Sequence, residues 1–96
     1  MAIAVYFHPK QMTLDKFNKT HRLLADAGQA NPAGRIHHSC FGEDGELMVF
    51  DIWDSAESFE AFGATLMPIL GKVGIDPGEP AIMPIHRLDQ RDAHQS

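Results

Sequence analysis

The chain has 96 residues, 44% of them apolar and 22% charged, the profile of one small globular domain with a limited core. Its net charge is −5 with histidine neutral, and Lys plus Arg total only 8, which argues against nucleic acid or an anionic membrane surface as partner. A single cysteine excludes an internal disulfide and a multi-thiolate metal centre.

Residues 2–8, AIAVYFH, are β-branched and aromatic and end at Pro9, which predicts a first strand. The start carries no basic n-region and no apolar run approaches the roughly 20 residues of a membrane helix, so the expected location is the cytoplasm. Thr13 can cap a helix from Leu14, in which Leu14, Phe17, His21, Leu24 and Gly28 form one stripe; Gly28 suits its C-terminal end. GQANPAG (28–34) is a turn-rich connection. Strands over 35–42 and 46–53 flank Asp44-Gly45, a two-residue hairpin signal of the I′ type. Asp54 with Glu57 makes a capping-box pattern for a second helix. That helix carries Phe59, Phe62, Leu66 and Ile69 on one face, with Gly63 and Pro68 expected to weaken or kink it. VGIDPGEP (73–80) is a loop, and AIMPIHRL (81–88) a fourth strand whose Pro84 suits an edge. Residues 1–88 make one domain and 89–96 a polar tail that includes His94.

The order β-α-β-β-α-β, with right-handed crossovers, predicts an α+β ferredoxin-like fold: a four-stranded antiparallel sheet with two helices on one face. The strands do not alternate cleanly. Ala2, Ala4 and Tyr6 back Ile3, Val5 and Phe7, and Met48, Phe50 and Ile52 back Leu47, Val49 and Trp53. A sheet with one wet face would alternate, so a sheet-to-sheet homodimer is expected.

This strand order, the two apolar sheet faces and the junction VFDIWDSAESFEAF (49–62), where a strand ends in W-x-S before an aromatic-rich helix, resemble the dimeric α+β barrels. The nearest likeness is to the antibiotic-biosynthesis-monooxygenase-like branch. The resemblance spans residues 2–88 as a pattern of elements. It implies a pocket between helices and sheet, lined by a tryptophan at Trp53, and in the oxygenases of the group a reaction without metal or flavin. The haem-degrading branch is disfavoured: it uses a histidine on its second helix and an asparagine on its first strand, and neither 54–85 nor AIAVYFHP supplies one.

The hairpin RIHHSCFGEDGELMVFDIWDS (35–55) holds the densest chemistry. Adjacent strand residues point to opposite faces, so His37 and His38 cannot share a metal, and the spacings of metal motifs are missing. With a two-residue turn, Cys40 faces Val49, His38 faces Asp51 and Ile36 faces Trp53; a three-residue loop would bring His37 to Asp51 instead. A buried aspartate needs a partner. In the functional reading, His38 removes a proton from an acidic phenol or enol, Asp51 orients it, and Trp53 stacks on an aromatic substrate. In the structural reading, His38 and Asp51 are a polar pair on the dimer-facing surface.

His21, Phe17 and Leu24 from the first helix and Phe62 and Leu66 from the second are the expected substrate-binding set, with His21 alternatively a hydrogen-bonded core residue. His8 and His86 fall near strand ends, and Cys40 reads as a small core residue. No phosphate-cradling loop, dinucleotide fingerprint or nucleophile elbow is present, so no cofactor is expected. Three functions remain in view: a homodimeric cofactor-independent monooxygenase acting on an aromatic or enolisable small molecule, a non-catalytic ligand-binding or stress-related dimer, and an isomerase or cyclase using the same base without oxygen.

Overall fold

The computed structural model describes residues 1–90; the rest of the polar tail, with His94, lies outside the described residues. The elements are β1 (Ile3–Phe7), α1 (Leu14–Asp26), β2 (Arg35–Phe41), β3 (Met48–Trp53), α2 (Ala56–Val73) and β4 (Ala81–Pro84). The sheet order is β2-β3-β1-β4, and each neighbouring pair is antiparallel. This is the ferredoxin-like α+β arrangement read from the sequence. Among the described residues no helix is long and apolar enough to cross a membrane.

Local chemistry explains the boundaries. Thr13 is extended, and its hydroxyl accepts from the Lys16 amide at 3.2 Å, which starts α1. Gly28, at φ 77°, follows the last turn, where its amide donates to Ala25. The cap of α2 is Ser55, not the expected Asp54: the Ser55 hydroxyl accepts from the Ser58 amide. The Asp54 amide donates to the Gly34 carbonyl at 2.8 Å, which keeps its backbone in the strand edge, and its carboxylate accepts from the Ser55 hydroxyl at 3.1 Å. α2 runs unbroken past Gly63 and Pro68 to a left-handed Gly74.

β3 starts two residues later than expected. The Glu46 amide closes the turn on the Glu43 carbonyl at 2.8 Å, and the Leu47 amide donates to Met12 at 3.2 Å, so neither joins the ladder. A type I′ turn needs positive φ at both central residues. Gly45 has it, at 95°, but Asp44 does not, so the I′ expectation is corrected. β4 is shorter than expected and lies at the sheet edge, where Pro84, opposite Ile3, costs no interior hydrogen bond.

The core lies between the sheet and the helices. Val5 and Trp53 are fully buried there, with Phe7, Leu24, Val49, Phe62 and Leu70 around them. The opposite sheet face carries Tyr6, Met48, Phe50 and Ile52, with Phe41 and Met83 exposed, and among the described residues no helix or strand covers it.

Candidate active site

Strand pairing places His38 opposite Asp51 and Cys40 opposite Val49, the register counted from the Asp-Gly bend. Both His38 and Asp51 point to the helix-covered face. Their side chains meet at 2.6 Å, His38 Nδ1 to Asp51 Oδ1. Asp51 is only 3% exposed, so the imidazole supplies the partner that a buried carboxylate requires. With Asp51 ionised, Nδ1 of His38 carries the hydrogen, which leaves Nε2 facing away from the carboxylate.

His21 meets that second nitrogen. Its Nε2 lies 3.2 Å from His38 Nε2, so Asp51, His38 and His21 form a continuous hydrogen-bonded line from β3 through β2 to α1. Phe17 flanks it, with ring centroids 4.4 Å from His21 and 6.0 Å from His38. The hairpin tip fixes the helix above the strand: Asp44 Oδ1 accepts from the Leu14 amide at 2.9 Å, at the first turn of α1. Burial pushes the His21 proton affinity below its ordinary value; the charges of His38 and Arg35 push the same way, and Asp51 opposes them.

The line opens on a cleft between the helices and the sheet, with a cavity of about 60 Å³. Its walls include His21, Phe17 and Leu24 from α1, Phe62 and Leu66 from α2, and His38 and Asp51 from the sheet. Every residue of the expected substrate-binding set therefore sits at this cleft. The volume lies below the roughly 300 Å³ typical of small ligand sites.

Trp53 is placed differently from its expected stacking role. It is fully buried and packs on Phe59 and Phe62 behind the cleft wall rather than in it. Its Nε1 has no hydrogen-bond partner among the described residues. His37 faces the other side of the sheet, beside Ser39 and Phe50. His8 is exposed 3.9 Å from Glu46, and His86 is exposed. Cys40 packs against the core, and burial pushes its thiol up, away from the reactive thiolate.

One cleft residue was not foreseen. The register slips between Arg35 and His37, so Arg35, not Ile36, lies opposite Trp53. Ile36 is turned outward, 43% exposed, and Arg35 joins the cleft wall. The expectation of Ile36 facing Trp53 is thus corrected by a β-bulge, which inserts one residue and reverses parity beyond it. The signal available in the sequence was Gly34, a residue able to take the φ of 88° found there.

No family model and no curated relative matches the sequence. Solved structures do match. SnoaB, a cofactor-independent oxygenase from Streptomyces nogalater, aligns with a TM-score of 0.64 at 15% identity, over 91% of this chain and 94% of that one. A candidate antibiotic biosynthesis monooxygenase from Deinococcus radiodurans gives a TM-score of 0.59 at 11% identity, over 97% and 100% of the two chains. This chain has the fold of the antibiotic-biosynthesis-monooxygenase-like proteins. A conserved protein from Methanosarcina mazei shares the architecture as well, with a TM-score of 0.57 at 16% identity over 86% and 89% of the chains. On this monooxygenase-like frame, the Asp51–His38–His21 line is built from one residue each of β3, β2 and α1.

Proposed function

We propose that the protein is a small homodimeric oxygenase that deprotonates an aromatic or enolisable substrate in the cleft and lets the resulting carbanion react with dioxygen, without a metal or flavin. The observation that carries this reading is the hydrogen-bonded line Asp51–His38–His21 ending at an apolar cleft. A proton delivered from the cleft to the imidazole pair is held as the His38 cation against the Asp51 carboxylate. The apolar walls exclude water and favour a planar guest. The likeness in fold to SnoaB supports the oxygen-dependent chemistry over a proton shuttle alone. The uncovered apolar sheet face, with Tyr6, Phe50 and Met48, supports pairing of two copies sheet to sheet.

Anthrone is a suitable probe: deprotonation at its methylene carbon gives an enolate, and one dioxygen converts the CH2 to C=O with release of one water. Oxygen uptake matching anthraquinone formation is expected, and His38→Ala should lower the rate on the order of 100-fold or more. An unchanged rate in His38→Ala would remove the base assignment. Turnover without oxygen uptake would point to isomerase or cyclase chemistry. Saturable binding with no turnover in either form would leave a ligand-binding dimer. Light scattering checks the assembly: a monomeric mass at micromolar concentration would refute the pairing.

A further inference from the structure

We infer that Arg35 is an anion-recognition residue of the cleft, and that the ligand presents a negatively charged oxygen on an aromatic ring: a carboxylate substituent or a ring enolate or phenolate. The inference rests on the cleft being the ligand site, but not on His38 being the base.

Arg35 is the one Lys or Arg in the cleft wall among the described residues. Its guanidinium is incompletely used, since it donates at 3.2 Å to the Ala30 carbonyl and forms no ion pair within 4.0 Å among the described residues. A guanidinium offers five donors in a planar fork, so most of that capacity is unspent at a half-buried position. Burial lowers its proton affinity, and Asp51 only partly opposes this. No carboxylate among the described residues lies within 4.0 Å of the guanidinium, so an anion entering the cleft meets a fork that is not already paired. The Phe62 ring lies beneath it, 5.8 Å from the guanidinium carbon, which orients the fork.

The backbone invests in this placement. Without the bulge, even-numbered residues of β2 would face the cleft and Ile36 would occupy the position. The bulge substitutes a cation for an aliphatic chain, and bulges beside active sites commonly re-aim a side chain in this way. Gly34 permits it by its positive φ and by its lack of a Cβ, which would sit 2.5 Å from the Ser58 side chain. An aliphatic wall would have served an apolar ligand without any of this. For the proposed reaction, an enolate oxygen beside Arg35 would be stabilised as it forms.

The experiment is a titration of full-length protein with benzoate and its neutral analogue benzamide, followed by NMR chemical shifts, for wild type, Arg35→Gln, Arg35→Lys and His38→Ala. A second arm follows the ionisation of bound 4-nitrophenol by absorbance. Wild type should bind benzoate roughly tenfold or more tighter than benzamide, as a charge-assisted pair predicts. Arg35→Gln should erase the preference, Arg35→Lys should keep part of it, and His38→Ala should still prefer benzoate over benzamide. Loss of activity in His38→Ala with charge selectivity intact separates the two assignments. In the second arm, ionisation displaced to lower pH in wild type but not in Arg35→Gln marks an oxyanion on the ring as the group recognised. Selectivity in the first arm alone marks a carboxylate. Equal binding of benzoate and benzamide with no displacement for 4-nitrophenol, or a preference that survives Arg35→Gln, would overturn the inference.

Discussion

Replacing His38 by Leu keeps side-chain bulk and removes the only hydrogen-bond partner of the Asp51 carboxylate among the described residues. The two side chains are 21% and 5% exposed, so the carboxylate is left without protein or ample water. Removing one member of a buried pair costs about 3–5 kcal/mol. Because His38 reaches solvent over part of its ring, the low end applies, about 3 kcal/mol. For a chain of this size that corresponds to a drop in Tm of roughly 12–24 °C. The companion is His38→Leu with Asp51→Val, which replaces the pair by an apolar contact between directly opposed strand residues. Both variants lose the His21 contact equally, so the difference isolates the stranded carboxylate. The double variant should be more stable than the single by about 2 kcal/mol or more, since apolar replacement of a buried pair is often neutral. Urea unfolding at neutral pH and fixed protein concentration measures this through the midpoint at constant m. A single variant that loses under about 1 kcal/mol, with no recovery in the double, would show that Asp51 does not depend on His38 and would remove the argument for the pair.

His21 makes a pH-dependent contribution whose sign is fixed: its folded-state value lies below the ordinary 6.5, so the unfolded chain binds more protons in the window beneath that value and stability falls as pH drops through it. His21→Phe should flatten the dependence of Tm on pH between about 5 and 7, and a slope identical to wild type would count against the burial argument. Gly34→Ala should destabilise by about 3 kcal/mol or more, because it adds left-handed strain at φ 88° to a contact of 2.5 Å with Ser58; a variant with wild-type Tm would mean that the bulge tolerates a side chain. Asp44→Ala should cost about 1 kcal/mol by freeing the Leu14 amide. It should also broaden the His21 imidazole resonance in NMR, whereas an unchanged line would show that α1 is held by other contacts.

How far the sequence reaches is visible along β2. Period-two parity, counted from the Asp-Gly bend, carries correctly from Phe41 to His37, although the bend itself is not of the I′ type. Parity is a property of the pleat and survives a change of turn as long as the number of intervening residues is right. It fails at Ile36, because a bulge depends on what the neighbouring chain allows: here Gly34 against Ser58 and the Asp54 amide. That information is tertiary, so Arg35 was hidden while His38 and Asp51 were readable. The same distinction applies to the cap of α2. Asp54 and Ser55 are both good caps in isolation, and only the strand-edge hydrogen bond to Gly34 decides between them. Trp53 sits on the face that the family resemblance implied, yet face alone does not tell a wall from the filling behind it.

The Asp44 clasp on the start of α1 divides the labour of the molecule. One contiguous stretch of chain, from Thr13 to Asp51, supplies both imidazoles, the acid and the fastening between helix and hairpin. Of the other walls, Phe7, Pro9 and Met12 precede that stretch, and Phe62, Leu66 and Leu70 of α2 with Ile75 and Pro77 beyond it follow it. The acid and the two imidazoles are therefore fastened to one another through neighbouring stretches of chain, and their spacing is set before α2 closes the cleft from the far side.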